Sequence, residues 1–352
     1  MSTISKMKRL LMLFVALSTS LACEVRADQP AESSTSNKPV KVFILMGQSN
    51  MVGFGAVGND TTKGSLAYMV KNQKKYLNLV DKQGNWIERN DVWMIKVTTG
   101  QRQGWLKPGY GARDKFFGPE LGFGNIMGDY YDEPIVMIKA SQGNRSLFWD
   151  ILPPGSPRIE YDGKTYAGYG DSIGVWSKDN PGKKVEWYGG KQYDDFVNDT
   201  KTVLKDFKKY YPDYNGQGIE IAGFVWWQGH KDQYEPAASY YEKNLVTLIK
   251  SLRKDFKAPN APIVIATIGF GGWNMKEVSK KVAEAQLAVS GEKGKYPEFK
   301  GNVKTIESRG FWREKEISPS KQDYHYNWNA ETYMEVSNAL GKAMVELISK
   351  KK

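Results

Sequence analysis

The sequence contains a single cysteine, Cys23, and only two histidines, His230 and His325. Neither a cysteine cluster nor an H-x-x-x-H pair is present, so the spacing that a zinc centre requires is missing. The chain also lacks a glycine-rich phosphate-binding loop, so the sequence gives no indication of a nucleotide cofactor. We therefore predict a protein that uses no metal and no cofactor.

Long apolar runs are absent as well. The apolar residues 10–22 are too few to span a bilayer, and they follow a basic stretch that ends at Arg9. This order predicts a signal peptide over residues 1–27, and lipidation of Cys23 is the alternative that its imperfect lipoprotein box leaves open. We expect an exported protein, periplasmic or secreted, without a membrane span. Cleavage after Ala27 leaves a mature chain that cannot form disulfides.

The basic charge has a simple explanation. The chain carries 50 Lys and Arg against 39 Asp and Glu, a net charge of +11. Lysines recur at helical spacing, as at Lys201, Lys205 and Lys208, which is typical of solvent-exposed helix faces. We therefore expect no nucleic-acid partner.

Residues 28–38 are small and polar and predict a disordered linker, and residues 39–352 are expected to form one domain.

Apolar runs rich in β-branched and aromatic residues predict the buried strands of a parallel sheet. They begin near residue 40 and recur at residues 92–97, 134–140, 219–227 and 262–268. Apolar residues at helical spacing follow in residues 196–211, 245–256 and 336–347. This alternation predicts an α/β fold, a three-layer αβα sandwich with a central parallel sheet.

Two stretches interrupt the alternation. Residues 98–118 and 153–195 are rich in Gly, Pro, Tyr and Trp, and long irregular segments in compact domains are often functional. We expect them to form the walls of a site. Aromatic rings beside polar groups suit sugars, because the C–H faces of sugars pack on rings.

Four polar clusters carry the candidate chemistry. Gly47-Gln48-Ser49-Asn50 follows the first predicted strand, Gln142-Gly143-Asn144 the third, and Trp227-Gln228-Gly229-His230 the fourth. The fourth cluster, which contains Asp323 and His325, precedes the last predicted helix. Because open α/β sheets bind ligands at the carboxyl ends of their strands, we expect these clusters to converge at one edge.

The four clusters together resemble the sequence blocks of the SGNH hydrolases. The most similar branch holds the sialate O-acetylesterases and the acetylxylan esterases of carbohydrate esterase family six. Phe117-Gly118-Pro119-Glu120-Leu121 is similar to a secondary signature of that branch. The resemblance covers most of residues 40–349 and implies an SGNH (flavodoxin-like) fold and a serine esterase that removes O-acetyl groups from carbohydrates.

The resemblance assigns a role to several residues. Ser49 is the nucleophile and His325, which precedes the last helix, is the base that takes its proton. The oxyanion donors are the backbone N–H groups of Ser49 and Gly143 and the side-chain amide of Gln228. Candidate substrate-binding residues are Gln48, Asn144, Trp227, His230 and Asp232.

The acid of the triad departs from the family pattern. Gln322 stands three residues before His325, where the family has aspartate, and Asp323 stands two before it. We predict that Asp323 orients His325, and Asp232 or a plain Ser–His dyad remain the alternatives. His230 is a second departure, because the family more often has glutamate there.

Two other functions remain open. A lipase- or thioesterase-like hydrolase of the same fold would prefer longer acyl chains. A carbohydrate-binding protein on a decayed esterase scaffold would bind glycans without turnover, and the displaced acid keeps this alternative open.

Overall fold

The structure is a computed structural model that describes residues 38–350. The predicted signal peptide and all but the last residue of the predicted linker lie outside the described residues. Within residues 38–350, no helix is both long enough and apolar enough to span a membrane.

The described chain contains twelve strands and eight α-helices. The strands are β1 (Val40–Gly47), β2 (Gly55–Ala56), β3 (Arg89–Val97), β4 (Arg102–Leu106), β5 (Phe116–Phe117), β6 (Ile135–Ser141), β7 (Ile159–Tyr161), β8 (Lys164–Tyr166), β9 (Val175–Ser177), β10 (Ile219–Trp227), β11 (Ile263–Ala266) and β12 (Val303–Ile306). The helices are α1 (Ser49–Val52), α2 (Leu66–Gln73), α3 (Glu120–Tyr130), α4 (Lys191–Lys205), α5 (Phe207–Tyr210), α6 (Ala237–Asp255), α7 (Glu277–Ala288) and α8 (Ala330–Ser349).

Seven strands form the central sheet in the order β12-β11-β10-β1-β6-β3-β4. Strand β1 lies between β10 and β6 and pairs in parallel with both. All its residues except Lys41 are buried, as expected for an apolar strand covered on both faces by helices. Only β4 runs antiparallel, at the edge beside β3. The predicted three-layer α/β fold is confirmed, with a mostly parallel sheet.

Each of the five predicted runs is a strand of this sheet. The sequence did not predict β12, which has only four residues, or the edge strand β4. It also did not predict α3, whose glycines weaken the helical pattern, or α7. The two irregular stretches contain some regular structure: β4 and β5 lie in the first, and β7, β8 and β9 form a small antiparallel sheet in the second.

Candidate active site

The carboxyl ends of β1, β6 and β10 meet at one edge of the sheet. Gly47 is in register with Ser141 on one side and with Trp227 on the other. A Cβ atom at Gly47 would lie 2.2 Å from the carbonyl oxygen of Trp227, so only glycine allows the strands to end this close together. The three clusters that follow these strands therefore converge, as the sequence predicted.

Ser49 lies immediately beyond the end of β1 and is the first residue of the short helix α1. It is buried, with 5% of its surface exposed. Gly143 lies beside it, because a Cβ atom built on Gly143 would be 3.8 Å from Cβ of Ser49. The structure thus brings the predicted nucleophile and one predicted oxyanion residue together.

His325 reaches the same region on an unusual turn. His325, Tyr326, Asn327 and Trp328 all have positive φ angles, between 48° and 60°. This conformation costs L residues roughly 1–2 kcal/mol each, so tertiary contacts must hold it. Tyr326 supplies one of these contacts, because it is fully buried and its hydroxyl accepts a hydrogen bond from the backbone N–H of Gly269 (2.9 Å).

The imidazole of His325 stacks on the ring of Phe54. The ring centroids are 4.0 Å apart and the ring planes differ by 10°. Phe54 follows Ser49 by five residues, so this contact brings the histidine to the segment that carries the serine. Burial lowers the pKa of His325 to about 4, and the charge of His230 acts in the same direction.

A side-chain amide, rather than a carboxylate, lies beside Nδ1 of the His325 imidazole. Nε2 of Gln322 lies 3.4 Å from Nδ1 of His325 and also donates to the carbonyl oxygen of Tyr324 (3.1 Å). Within residues 38–350, no hydrogen bond joins Ser49 to His325. Catalytic hydrogen bonds in ligand-free sites are often long and shorten when substrate binds.

The structure does not bring Asp323, the predicted triad acid, to His325. Its side chain is 63% exposed, and its carboxylate lies 3.7 Å from Nζ of Lys315. Asp323 itself has a φ of 59°. Because the backbone is left-handed here, a separation of two residues does not place the carboxylate beside the imidazole.

Gln228 has no free hydrogen to offer an oxyanion. Its Nε2 carries two hydrogens and lies within hydrogen-bond distance of three acceptors: Oε1 of Gln48 (3.0 Å), the carbonyl oxygen of Arg145 (2.9 Å) and Asp232. Its Oε1 accepts from the hydroxyl of Tyr241 (2.8 Å). The structure therefore gives this predicted oxyanion donor a different task, which is to join the ends of β1, β6 and β10.

Asp232 is fully buried and lies within the same network. Its carboxylate accepts hydrogen bonds from the backbone N–H groups of Leu147 and Phe148, each at 3.0 Å. Burial raises the pKa of Asp232 to about 7, although the three hydrogen bonds that it accepts act in the opposite direction. Asp232 holds the loop after Gly143, and the hydrogen bonds that its carboxylate accepts in the described chain come from Leu147, Phe148 and Gln228 rather than from His325.

Two other predicted substrate-binding residues are also buried. Oε1 of Gln48 accepts hydrogen bonds from the backbone N–H groups of Gly229 (3.2 Å) and Lys231 (3.1 Å), and only 1% of the residue is exposed. Trp227 is fully buried and packs against Tyr326 with 5.4 Å between ring centroids. In the described chain these two side chains thus have structural contacts and almost no exposed surface, and their role in substrate binding stays a prediction.

Asn144 and His230 are less buried than the other predicted substrate-binding residues. Asn144 is exposed and His230 is half-buried. The ring of His230 contacts Phe270 edge-on at 4.8 Å and lies parallel to Tyr324 at 6.1 Å. Burial lowers the pKa of His230, and the neighbouring Lys231 adds to this effect.

A cavity of about 460 Å³ is lined in part by Gln142 and Arg145, which flank Gly143 and Asn144; Ser49, His230 and His325 are not among its lining residues. Trp187, from the second aromatic stretch, forms part of its wall, with the guanidinium of Arg145 5.4 Å from its ring centroid. The volume is in the range of about 300–1,000 Å³ that small-molecule sites occupy. A larger cavity, of about 740 Å³, opens at the opposite edge of the sheet and contains neither Ser49 nor His325.

Sequence reasoning missed several residues of this site. It did not single out Phe54 or Arg145, and it noted Gln322 only as the residue that stands where the family has aspartate. The position of Phe54 between Gly53 and Gly55, close after the serine, is the signal that was available. In the described chain, no group of three or more metal-ligating side chains is found.

The fold and this edge of the sheet define an α/β hydrolase-like protein. A buried serine lies beside a glycine, a histidine of lowered pKa stacks on Phe54 of the same segment, and the residues on either side of Gly143 and Asn144 line an open polar cavity. Residues 39–346 match the family described as carbohydrate esterase, sialic acid-specific acetylesterase. The chain belongs to this family and is a carboxylic ester hydrolase.

Individual relatives are distant. A probable carbohydrate esterase of Arabidopsis thaliana is 24% identical over 259 residues, which cover 71% of this chain and 76% of that protein. The structure of an Arabidopsis thaliana protein superposes with a TM-score of 0.50 at 19% identity, over 87% of this chain and 98% of that one. A carbohydrate acetylesterase from Xanthomonas citri gives a TM-score of 0.48 at 12% identity, over 88% of this chain and 57% of that one.

Proposed function

We propose that the chain is an exported SGNH-type serine esterase that hydrolyses O-acetyl groups of carbohydrates through an acetyl-serine intermediate. The observation that carries the proposal is the convergence of Ser49, Gly143 and His325 at one edge of the sheet, in a chain of a carbohydrate esterase family. The basic and apolar leader in residues 1–27 supports export.

The chemistry needs one nucleophile and one base. Oγ of Ser49 bonds to the acetyl carbon while its proton passes to His325, and the sugar oxygen leaves with that proton. Water then attacks the acetyl-serine and releases acetate. The pKa of His325, lowered to about 4, keeps the imidazole neutral and able to accept a proton in mildly acidic and neutral solution.

The oxyanion is held by the backbone N–H groups of Ser49 and Gly143. Fixed donors of this kind each contribute about a hundredfold to a thousandfold to the rate. Gln228 acts indirectly, because its hydrogen bonds to Gln48, Arg145 and Asp232 fix the segments that carry these two N–H groups. The site therefore does not depend on a free side-chain amide.

The base works without a carboxylate, as a Ser49–His325 dyad. To accept the serine proton at Nε2, the imidazole must carry its own hydrogen on Nδ1. A turn of the Gln322 amide by 180° places its oxygen beside Nδ1, at the cost of the hydrogen bond from Nε2 to Tyr324. Gln322 can thus orient the ring but adds no negative charge.

The cavity beside Gly143 fits the sugar part of the substrate. Trp187 offers an aromatic surface for C–H groups, and Gln142, Arg145 and Lys191 offer polar groups for hydroxyls. An acyl tunnel for long chains would instead be lined by apolar residues. The polar lining therefore favours a short acyl group on a large polar alcohol, which is what an acetylated sugar is.

The test is acetate release from a panel of acetylated monosaccharides, oligosaccharides and polysaccharides. We expect Ser49→Ala to lose turnover and to keep its thermal stability. Ser156→Ala is the matched control, because Ser156 is also buried and its hydroxyl has no partner within residues 38–350. Mass spectrometry of the acid-quenched reaction should show an acetyl group on Ser49. Full activity of Ser49→Ala would refute the proposed nucleophile.

A further inference from the structure

The base of the proposed dyad has aromatic neighbours where a triad has an acid. His325 contacts the ring of Phe54 at 4.0 Å and the ring of Tyr324 at 4.7 Å. Apart from Tyr324, the titratable group that acts on it is His230, whose charge repels its protonated form. Asp323 and Asp232 have other partners, as described above. Nothing among residues 38–350 thus offers the imidazolium a negative charge at close range.

Phe54 supplies a different form of stabilisation. Its ring lies nearly parallel to the imidazole, so the face of the phenyl group covers the face of His325. An aromatic face carries negative partial charge and attracts a cation placed within about 6 Å of its centroid. When His325 takes the proton of Ser49, the new charge forms directly over this face.

The position of Phe54 is fixed by contacts of the chain segment that begins at the nucleophile, Ser49. Phe54 continues the segment that begins at Ser49, and the backbone N–H of Gly53 donates to the carbonyl oxygen of Ser49 (2.9 Å). The carbonyl oxygen of Gly53 accepts from the N–H of Ala112 (2.8 Å), and the ring of Phe54 packs on Phe116 at 5.6 Å. A displacement of Phe54 would therefore displace the serine segment as well.

The position of His325 is fixed independently. The left-handed turn 325–328 is anchored by the buried side chain of Asn327, which accepts from the N–H of Asp323 (2.9 Å) and donates to the carbonyl oxygen of Arg313 (3.2 Å). Two separately anchored segments therefore meet face to face at Phe54 and His325.

We propose that Phe54 is a positioning residue for His325: its ring fixes the plane of the imidazole and stabilises the imidazolium that forms during catalysis. The inference rests on the proposed function, because it assumes that His325 is the base. It assigns to an aromatic face the two tasks that a triad carboxylate performs.

The experiment compares Phe54→Leu, Phe54→Tyr and, as the matched control, Phe116→Leu. Leucine keeps most of the apolar volume but has no aromatic face, whereas tyrosine keeps the face. Phe116 belongs to the same cluster, and its ring contacts Phe54 and Trp328. Two quantities are measured: kcat/KM for a small acetyl ester at pH 7.5, and the pKa of His325 from imidazole NMR signals. The chain has only two histidines, so His230→Gln assigns these signals.

Phe54→Leu is expected to lower kcat/KM between about twofold and thirtyfold and to lower the pKa of His325 by about 0.4 to 1.5 pH units, the range of a lost cation–π contact. Phe54→Tyr should restore both quantities, and Phe116→Leu should leave the pKa of His325 unchanged. A raised or unchanged pKa in Phe54→Leu, or equal losses in the Leu and Tyr variants, would overturn the inference. The NMR titration needs no substrate, so it decides the role of Phe54 even if Ser49→Ala proves active and the proposed function fails.

Discussion

Asp323→Asn tests whether the base needs a carboxylate. If Asp323 were the acid of a triad, the change would lower kcat about ten-thousandfold. In the structure its side chain is 63% exposed and lies 3.7 Å from Lys315, with no hydrogen bond to His325. An exposed ion pair of this kind contributes at most about 1 kcal/mol to stability. A residual long-range attraction of about 0.5 kcal/mol would change a rate only about twofold. We therefore expect less than about a threefold loss in kcat.

The assay is kcat and KM for 4-nitrophenyl acetate at pH 7.5, where His325 is neutral because its pKa is lowered to about 4. Gln322→Leu is the comparison variant, because it removes the amide that faces Nδ1, and it should cost more than Asp323→Asn. A loss of a hundredfold or more for Asp323→Asn, with Gln322→Leu near wild type, would refute the reasoning and restore the triad.

Three further outcomes are expected. His325→Ala should lose about a hundredfold to ten-thousandfold in kcat, the usual contribution of a general base, while His230→Ala should mainly change KM. The value of kcat/KM should stay high from neutral pH to about 5 and fall as the pH drops through about 4, where His325 becomes protonated. His230→Ala should move this fall to higher pH, because the charge of His230 lowers the pKa of His325. Trp187→Ala should raise KM for an acetylated oligosaccharide and leave 4-nitrophenyl acetate unaffected; equal effects on both substrates would contradict a sugar-binding role.

The main architecture was predictable because burial leaves a strong local signal. A strand covered on both faces is expected to be apolar along most of its length, and β1, β6 and β10 are, apart from Lys41 of β1, Lys139 and Ser141 of β6, and the first residues of β10. The polar residues that follow these strands could then be placed at one edge of the sheet. Edge strands such as β4 carry a weaker pattern, since fewer of their residues are buried.

The details of the site could not be predicted, because they depend on long-range contacts and on backbone conformation. The sequence shows that Asp323 stands two residues before His325 but not that both residues have positive φ angles. It shows an amide at Gln228 but not that three acceptors surround Nε2. The stack of Phe54 on His325 joins residues 271 positions apart, and no local pattern indicates it.

Glu120 shows how a sequence signature can reflect structure rather than catalysis. It belongs to the Phe117–Leu121 signature, and it forms a fully buried ion pair with Lys139 at 2.7 Å. Nζ of Lys139 also donates to the carbonyl oxygens of Tyr110 (2.6 Å) and Val52 (3.0 Å), and Val52 ends the helix that Ser49 begins. The pair therefore ties the nucleophile segment to the centre of the sheet.

Lys139→Met should be strongly destabilising, because it leaves the carboxylate of Glu120 buried without a counter-charge. Breaking a buried pair in this way costs about 3–5 kcal/mol, a large part of the roughly 5–15 kcal/mol that holds a domain folded. Adding Glu120→Gln to Lys139→Met removes that charge. The glutamine keeps a side-chain oxygen that can accept the hydrogen bond that Glu120 accepts from the backbone N–H of Gly118 (2.7 Å). The double variant should therefore be more stable than the sum of the single losses predicts, and urea unfolding of the three variants measures the difference. Additive losses, or a cost below about 1 kcal/mol for Lys139→Met, would mean that the buried pair does not hold the serine segment in place.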